Sequence, residues 1–431
     1  MTTLQKTIAL LAATAVPVFA QNQNQLIAHI DNPGSLDSLL AVLQGTDDPS
    51  PVTPQTAEER LLPLRGVSVG AAYTGEGVAG LAGGIARGSV YLDNADLTIT
   101  LDADEAWGWE GATLFAYVLG NHGGCPSSRA GDVQVLSNID APDGWRVFEA
   151  WYEQKFMDNE LSMRLGLYNL NAEFYVTDHS ALFCNSSQGI GPEVAQSGRN
   201  GPSVFPNASL GARLRYEHGP LCLQTVVLDG VPGDPDCPDG TYIRLGKDDG
   251  VLVAVEAAWT IGASSGKLAL GAWGYSSSFE DPARTDANGD PVMRRGSAGV
   301  YALAEHALWA PAQERQLWGF LRAGVANPMV LVGDLSLAGG LEFVGPCPGR
   351  EEDRCGVAFA SLHASERYRN TMHEEAITMQ AWEVDIELTY RLHVTDWVSI
   401  QPDIQYIINP GFDPALDNAL VAGARVRLEL P

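Results

Sequence analysis

The chain has 431 residues, with 53 acidic side chains against 26 basic ones and a formal net charge of −27. So strong a negative balance excludes a nucleic-acid partner and gives no support to a phosphate-selective pore. Length admits two or three globular domains or one long all-β unit, and a mean hydropathy of −0.04 does not choose between them.

From the N-terminus, Lys6, an apolar stretch over residues 7–18 and Val18-Phe19-Ala20 before Gln21 fit a bacterial secretory signal. Residues 1–20 are read as that signal, and losing Lys6 with it makes the charge −28 (−27 − 1). Residues 21–64 are rich in Gln, Asn, Asp, Pro and Thr, with one helical candidate over 36–43, and are expected to form a partly disordered periplasmic leader. No later stretch reaches the roughly 18 uninterrupted apolar residues of a membrane helix. An exported chain of this kind is therefore either soluble or a barrel.

From residue 66 onward, apolar and polar residues alternate with period two. Segments are expected at 66–74, 89–102, 112–120, 146–156, 161–170, 208–217, 221–228, 251–261, 267–277, 299–309, 316–326, 335–344, 356–364, 382–394, 398–408 and 419–430, sixteen in all. One face of such a segment suits lipid and the other an aqueous lumen. The last two carry the clearest pattern. Ile400, Ile404, Tyr406 and Ile408 oppose Gln401, Asp403 and Gln405, and Leu420, Ala422, Ala424, Val426, Leu428 and Leu430 alternate with Arg425, Arg427 and Glu429.

Connections alternate between short ones (157–160, 218–220, 262–266, 395–397) and long ones (121–145, 171–207, 230–250, 280–296). Tight periplasmic turns and extended external loops give that asymmetry. The expected fold is all-β: a 16-stranded antiparallel transmembrane β-barrel over residues 65–431, an outer-membrane porin in which the even strand number puts both ends of the barrel's chain in one compartment. Trp107, Trp109, Trp309, Trp318 and Trp397 fall near the short turns, as an interfacial aromatic girdle requires.

Six cysteines in an exported chain can form disulfides. Cys347 with Cys355, flanking one predicted turn, is the best pair; Cys125 with Cys184 is the second. No CxxC occurs and the spacing fits no zinc template, so neither metal nor cofactor is expected.

Several stretches carry a family likeness: Gly108-Trp109, Asn138-Ile139-Asp140-Ala141-Pro142, Trp151-Tyr152-Glu153-Gln154, Gly166-Leu167-Tyr168 leading to Asn171-Ala172-Glu173-Phe174, and residues 183–192. Gln401-Pro402-Asp403-Ile404-Gln405-Tyr406, Asn409-Pro410-Gly411 and Asn418-Ala419-Leu420 complete it. In their order and spacing the chain, from about residue 65 to its end, resembles the OprB-type carbohydrate-selective porins of bacterial outer membranes. The resemblance implies a sixteen-stranded barrel passing glucose-like monosaccharides by diffusion. Its partners would be sugars, outer-membrane lipid and lipopolysaccharide, the barrel-assembly machinery and, in one assembly open to it, further copies of itself. Two departures from the family are the ending Glu429-Leu430-Pro431, where such barrels usually close on an aromatic residue, and the six cysteines.

A sugar channel must narrow to one pyranose ring and offer fixed donors and acceptors without holding its solute. The loop over 171–207 is the expected constriction, with Asp178, Phe183, Asn185, Ser186, Ser187 and Gln188 supplying much of its lining. On the walls, Arg213, Arg215, Glu383, Asp385, Glu387, Arg391, Arg425 and Arg427 take the inward phase, because ionised groups toward lipid are costly. Trp151, in phase with Glu149 and Glu153, offers a flat face to a sugar ring. A plain solvated wall is the alternative for these positions.

Three motifs are decoys. Residues 75–80 satisfy GxGxxG without the strand and helix of a dinucleotide site. Asp178-His179-Ser180 holds triad residue types, but sequence neighbours diverge in direction. Asp286-Ala287-Asn288-Gly289-Asp290 lacks the terminal glutamate of an EF-hand. No enzyme is expected; the competing readings are a general or ion-conducting porin and, further off, a secreted sugar-binding β-protein.

Overall fold

Alternation of this kind leaves each strand with one greasy and one wet face, and the arrangement that satisfies every backbone group in lipid is a closed ring. The computed structural model, described over residues 65–262, 265–312 and 315–430, is such a ring. The signal and leader readings over 1–64 lie outside the described residues. In chain order the strands are β1 (Val67–Ala82), β2 (Gly88–Asp102), β3 (Ala112–Gly123), β4 (Gly144–Phe156), β5 (Leu161–Tyr168), β6 (Ser209–His218), β7 (Leu221–Asp229) and β8 (Val251–Ile261). They continue as β9 (Gly266–Thr285), β10 (Pro291–Ala312), β11 (Arg315–Ala326), β12 (Gly333–Val344), β13 (Arg354–Ala364), β14 (Trp382–Thr395), β15 (Val398–Ile408) and β16 (Ala419–Glu429). Each pairs antiparallel with its sequence neighbour, and β1 closes on β16 with Glu76 opposite Arg425.

β8 shows how the sequence sets the two faces: Val251, Val253 and Val255 are exposed outward, while Leu252, Ala254 and Glu256 are buried inward. The expected segments match the strands with small shifts at the ends, apart from two places. β1 continues to Ala82 through the GxGxxG run, which is strand rather than nucleotide loop. The stretch 280–296, read as a long loop, is mostly strand, since β9 and β10 run on to a five-residue turn at 286–290. There Asp286 Oδ1 accepts from Asn288 N at 2.8 Å and Asp290 N at 3.1 Å, and Gly289 supplies the left-handed φ of +89°. The projecting pair is braced by Asp281, which binds Arg294 at 2.9 Å and Arg367, in the helix Glu366–Glu374, at 2.6 Å.

Trp107, Trp109, Trp309 and Trp397 are exposed, as a girdle requires. Trp318 is not part of it. It stacks on His179 of an inward loop with ring centres 3.9 Å apart, because its place on β11 shares the inward phase of Phe320 and Arg322.

Candidate constriction site

Two connections leave the rim and enter the barrel: residues 124–143 between β3 and β4, and residues 169–208 between β5 and β6. Loop backbone taken from water must find partners or pay heavily for their absence. The inner wall provides them as charged side chains, whose hydrogen bonds are the stronger kind. Glu256 on β8 accepts from Tyr175 N at 2.9 Å, Glu305 on β10 from His179 N at 3.3 Å, and Glu342 on β12 pairs with His179 Nδ1. Glu387 on β14 accepts from Cys184 N at 2.6 Å and Asn185 N at 3.0 Å, and Asp385 accepts from Asn185 Nδ2. Arg322 on β11 donates to Ser187 O at 2.6 Å and Gly189 O at 3.1 Å. On β15, Gln401 donates to Leu182 O at 2.7 Å.

The shorter loop is gripped in the same way. Glu383 accepts from Val133 N at 3.0 Å, Gln134 N at 3.1 Å and, in the connection after β15, Gly411 N at 2.6 Å. Gln405 donates to Leu136 O at 2.9 Å. The loops also bind each other, Asn138 N to Cys184 O at 2.7 Å and Ser186 N to Val135 O at 2.9 Å. Together they cross the lumen as one body. Gly324 on β11 lets it come close, since a Cβ there would overlap Glu193, which lies in the short helix Pro192–Ala195.

The residues expected to meet solute are mostly occupied in this fastening. Phe183 is buried against Phe320, ring centres 5.8 Å apart, with Leu182 and Ala358. Asn185, Ser187 and Gln188 are buried too, Asn185 accepting from Ser187 N and Ser187 Oγ bonding Gln134 O. Only Asp178, exposed, and Ser186, half-buried, keep solvent contact among the six loop positions. The reason is that a loop drawn out of water uses its own amides and hydroxyls to satisfy its backbone.

On the wall, Arg213 is 2% exposed and reaches Glu173 at 2.8 Å, Glu153 at 2.5 Å and Ser162 Oγ at 2.6 Å. Arg215 binds Glu217 at 2.7 Å and Glu173 at 3.4 Å, and Arg425 binds Glu76 at 2.6 Å and Asn138 Oδ1 at 2.8 Å. Arg427 pairs with Glu429 and stays about half exposed. Trp151 stacks on Phe115 at 4.8 Å and carries the Arg164 guanidinium over its ring at 3.8 Å. Arg164 also reaches Glu153 at 3.0 Å. The arginines of β5 and β6 thus stand half a barrel away from the carboxylates of β14.

All six cysteines are free thiols, so neither expected disulfide is present. Cys184 is wholly buried among Gln401, Glu387 and Asp403, whereas Cys125 is exposed with Asp140 as its partner; Cys347 and Cys355 are near neighbours with separate thiols.

The inward course of residues 124–143, and the grips Glu256, Glu305, Glu342 and Arg322, escaped the sequence reading. A lone charged side chain on the inward phase of an otherwise apolar strand, as Glu256 is in β8, is the signal that marks such grips.

Asp132, in the shorter loop, is half-buried with its Oδ1 closed off from solvent, and desolvation pushes its carboxyl up to about 6 from its ordinary 3.8. Ser127 Oγ, bonded at 3.1 Å, opposes the shift, while Asp140 adds to it. A folded value above the unfolded one means that the native state binds more protons between the two. Docking is therefore expected to gain stability as pH falls from 7 through 6 toward 4, by up to about 3 kcal/mol. Protease protection of residues 124–143 at pH 7 and pH 4.5 measures it, and Asp132→Asn should be protected equally at both.

The family model described as carbohydrate-selective porin, OprB family, matches residues 86–430. Porin B of Pseudomonas aeruginosa is 26% identical over 399 residues, spanning 82% of this chain and 86% of that protein. The putative porin QuiX of Acinetobacter baylyi is 22% identical over 426 residues, spanning 86% and 91%. The high-pH structure of Pseudomonas putida OprB shares the fold with a TM-score of 0.74 at 22% identity, over 85% of this chain and 94% of that one.

Proposed function

This chain belongs to the OprB family of carbohydrate-selective porins, barrels of the bacterial outer membrane, and from that premise we propose that it admits glucose-like monosaccharides to the periplasm by passive diffusion. The observation that carries the reading is the pair of inward loops clamped to the far wall, which narrows the lumen without filling it with charge of one sign. Arg215 beside Glu217 and Arg427 beside Glu429 are inward pairs that keep contact with solvent. Adjacent opposite charges exchange hydrogen bonds with hydroxyls while presenting little net field to a passing ion.

No chemical step belongs to the proposal. His179 is committed to Glu342 and to the Trp318 ring, and Ser180 Oγ bonds Thr177, so the Asp178-His179-Ser180 trio is dispersed. Within the same reading, residues 1–20 are a signal peptide, 21–64 a periplasmic leader, and the barrel-assembly machinery inserts the rest among lipid and lipopolysaccharide.

A general cation-conducting porin is the second reading, favoured by the net charge of −27. Planar-bilayer recordings separate the two. Glucose is expected to lower single-channel conductance at concentrations where maltose acts less and succinate least. Strong cation preference with no response to any sugar would reject the sugar reading in favour of the second.

A further inference from the structure

Where the tip of the longer loop meets β14 and β15, three ligand-type side chains converge. Cys184 Sγ, a Glu387 oxygen and an Asp403 oxygen all lie within 4.8 Å of one another. The three residues are 0%, 1% and 8% exposed. Asp403 Oδ1 accepts from Gln405 Nε2 at 3.0 Å, but its Oδ2 is buried with no hydrogen-bond partner. An oxygen stripped of both water and donor is costly, and each such atom in a folded protein asks for an explanation.

The surroundings make the deficit one of positive charge. Glu76, Glu383 and Asp385 are buried on the same wall, and Arg425, the guanidinium among them, is bonded to Glu76 and Asn138 rather than to Asp403. Glu387 has an oxygen on each of two loop amides, Cys184 N and Asn185 N, which fixes its orientation as outer partners fix a metal ligand. Gln401 Nε2 approaches Cys184 Sγ at 3.6 Å and holds the sulfur from the far strand.

We propose that Cys184, Glu387 and Asp403 bind a divalent transition-metal cation that rivets the constriction loop to the barrel wall. A sulfur donor beside two carboxylates suits zinc and speaks against magnesium and calcium, which take oxygen alone. On binding, the Cys184 S–H bond breaks, its proton passes to solvent and the sulfur bonds the metal, with no change of oxidation state. Because Cys184 has no exposure, the cation enters before the loop docks and exchanges slowly afterwards. The ligands come from positions 184, 387 and 403, so no short motif announces them. The inference is independent of the solute that the pore admits.

The full chain, purified from outer membranes without chelator, tests it by elemental analysis. About one zinc per chain is expected, falling about tenfold or more in Cys184→Ser and in Asp403→Asn while Cys355→Ser keeps it. A wild-type protein with no tightly held transition metal, or a Cys184→Ser variant with its metal unchanged, overturns the proposal. Should the variants fail to fold, wild-type protein refolded with cobalt decides: a thiolate-to-cobalt charge-transfer band supports the site, and its absence overturns it. If instead Asp403 and Glu387 merely share a proton, Asp403→Asn leaves the loop protected from protease in chelator, which also overturns it.

Discussion

Arg213→Ala is expected to be the most destabilising single change in the barrel, costing about 3–5 kcal/mol, the range for removing one partner of a buried ion pair. The guanidinium is nearly inaccessible and joins three elements: Glu153 on β4, Ser162 on β5 and Glu173 at the root of the inward loop. Its removal leaves Glu153 and Glu173 desolvated, with Arg164 at 3.0 Å and 3.6 Å as partial compensation. Arg213→Lys keeps the charge but not the planar fork, and should fall between the two. The temperature at which the folded, fast-migrating form is lost on a gel measures the effect. A shift equivalent to less than about 1 kcal/mol, the value of an exposed pair, would show that the network is solvated and that Arg213 is free for solute after all.

Arg322→Ala is expected to open the pore rather than unfold it. Ser187 O would lose the donor that holds it, at about 1–3 kcal/mol for a buried acceptor left bare, while Gly189 O would keep Asn171 Nδ2 at 3.3 Å. The remaining grips from Glu256, Glu305 and Glu387 keep the loop near the wall, so it should fluctuate rather than leave. Single-channel conductance is expected to rise severalfold and the response to glucose to weaken together. Conductance and glucose response both equal to wild type would mean that the loop tip does not set the narrowest passage. Altered ion preference with an intact sugar response would assign Arg322 an electrostatic role alone.

The wall was legible in the sequence because lipid imposes its demand residue by residue. Val398–Ile408 and Val251–Ile261 are bounded as expected for that reason. The reading failed where the demand lapses. Beyond the bilayer, the outer halves of β9 and β10 need not be apolar outward, so their alternation fades into what resembles a loop. In β1 the run from Gly75 to Ala82 has too little side chain to show contrast.

The constriction was legible in position but not in detail. Length and turn residues marked the stretch 171–207, yet which of its side chains face water depends on partners far away in sequence. Asn185 and Ser187 read as solute contacts and instead serve the loop's own backbone. Glu383 and Glu387 read as lumen wall, and their position is inward, but their oxygens are filled by loop amides. An inward carboxylate is written in the local pattern; what it holds is not.

The fastening of early loops by late strands has a bearing on how the molecule comes into being. Val133 waits for Glu383, some 250 positions later, and Cys184 for Glu387, 203 positions later. Contacts so distant close slowly, since chain entropy must be surrendered before they repay it. Until β14 and β15 arrive, the shorter loop lacks its grips from Glu383 and Gln405, and the tip of the longer one lacks Glu387. The strand that seals the ring against β1 also carries Arg425 to Asn138, so the last stave of the cylinder brings the last bolt of its gate.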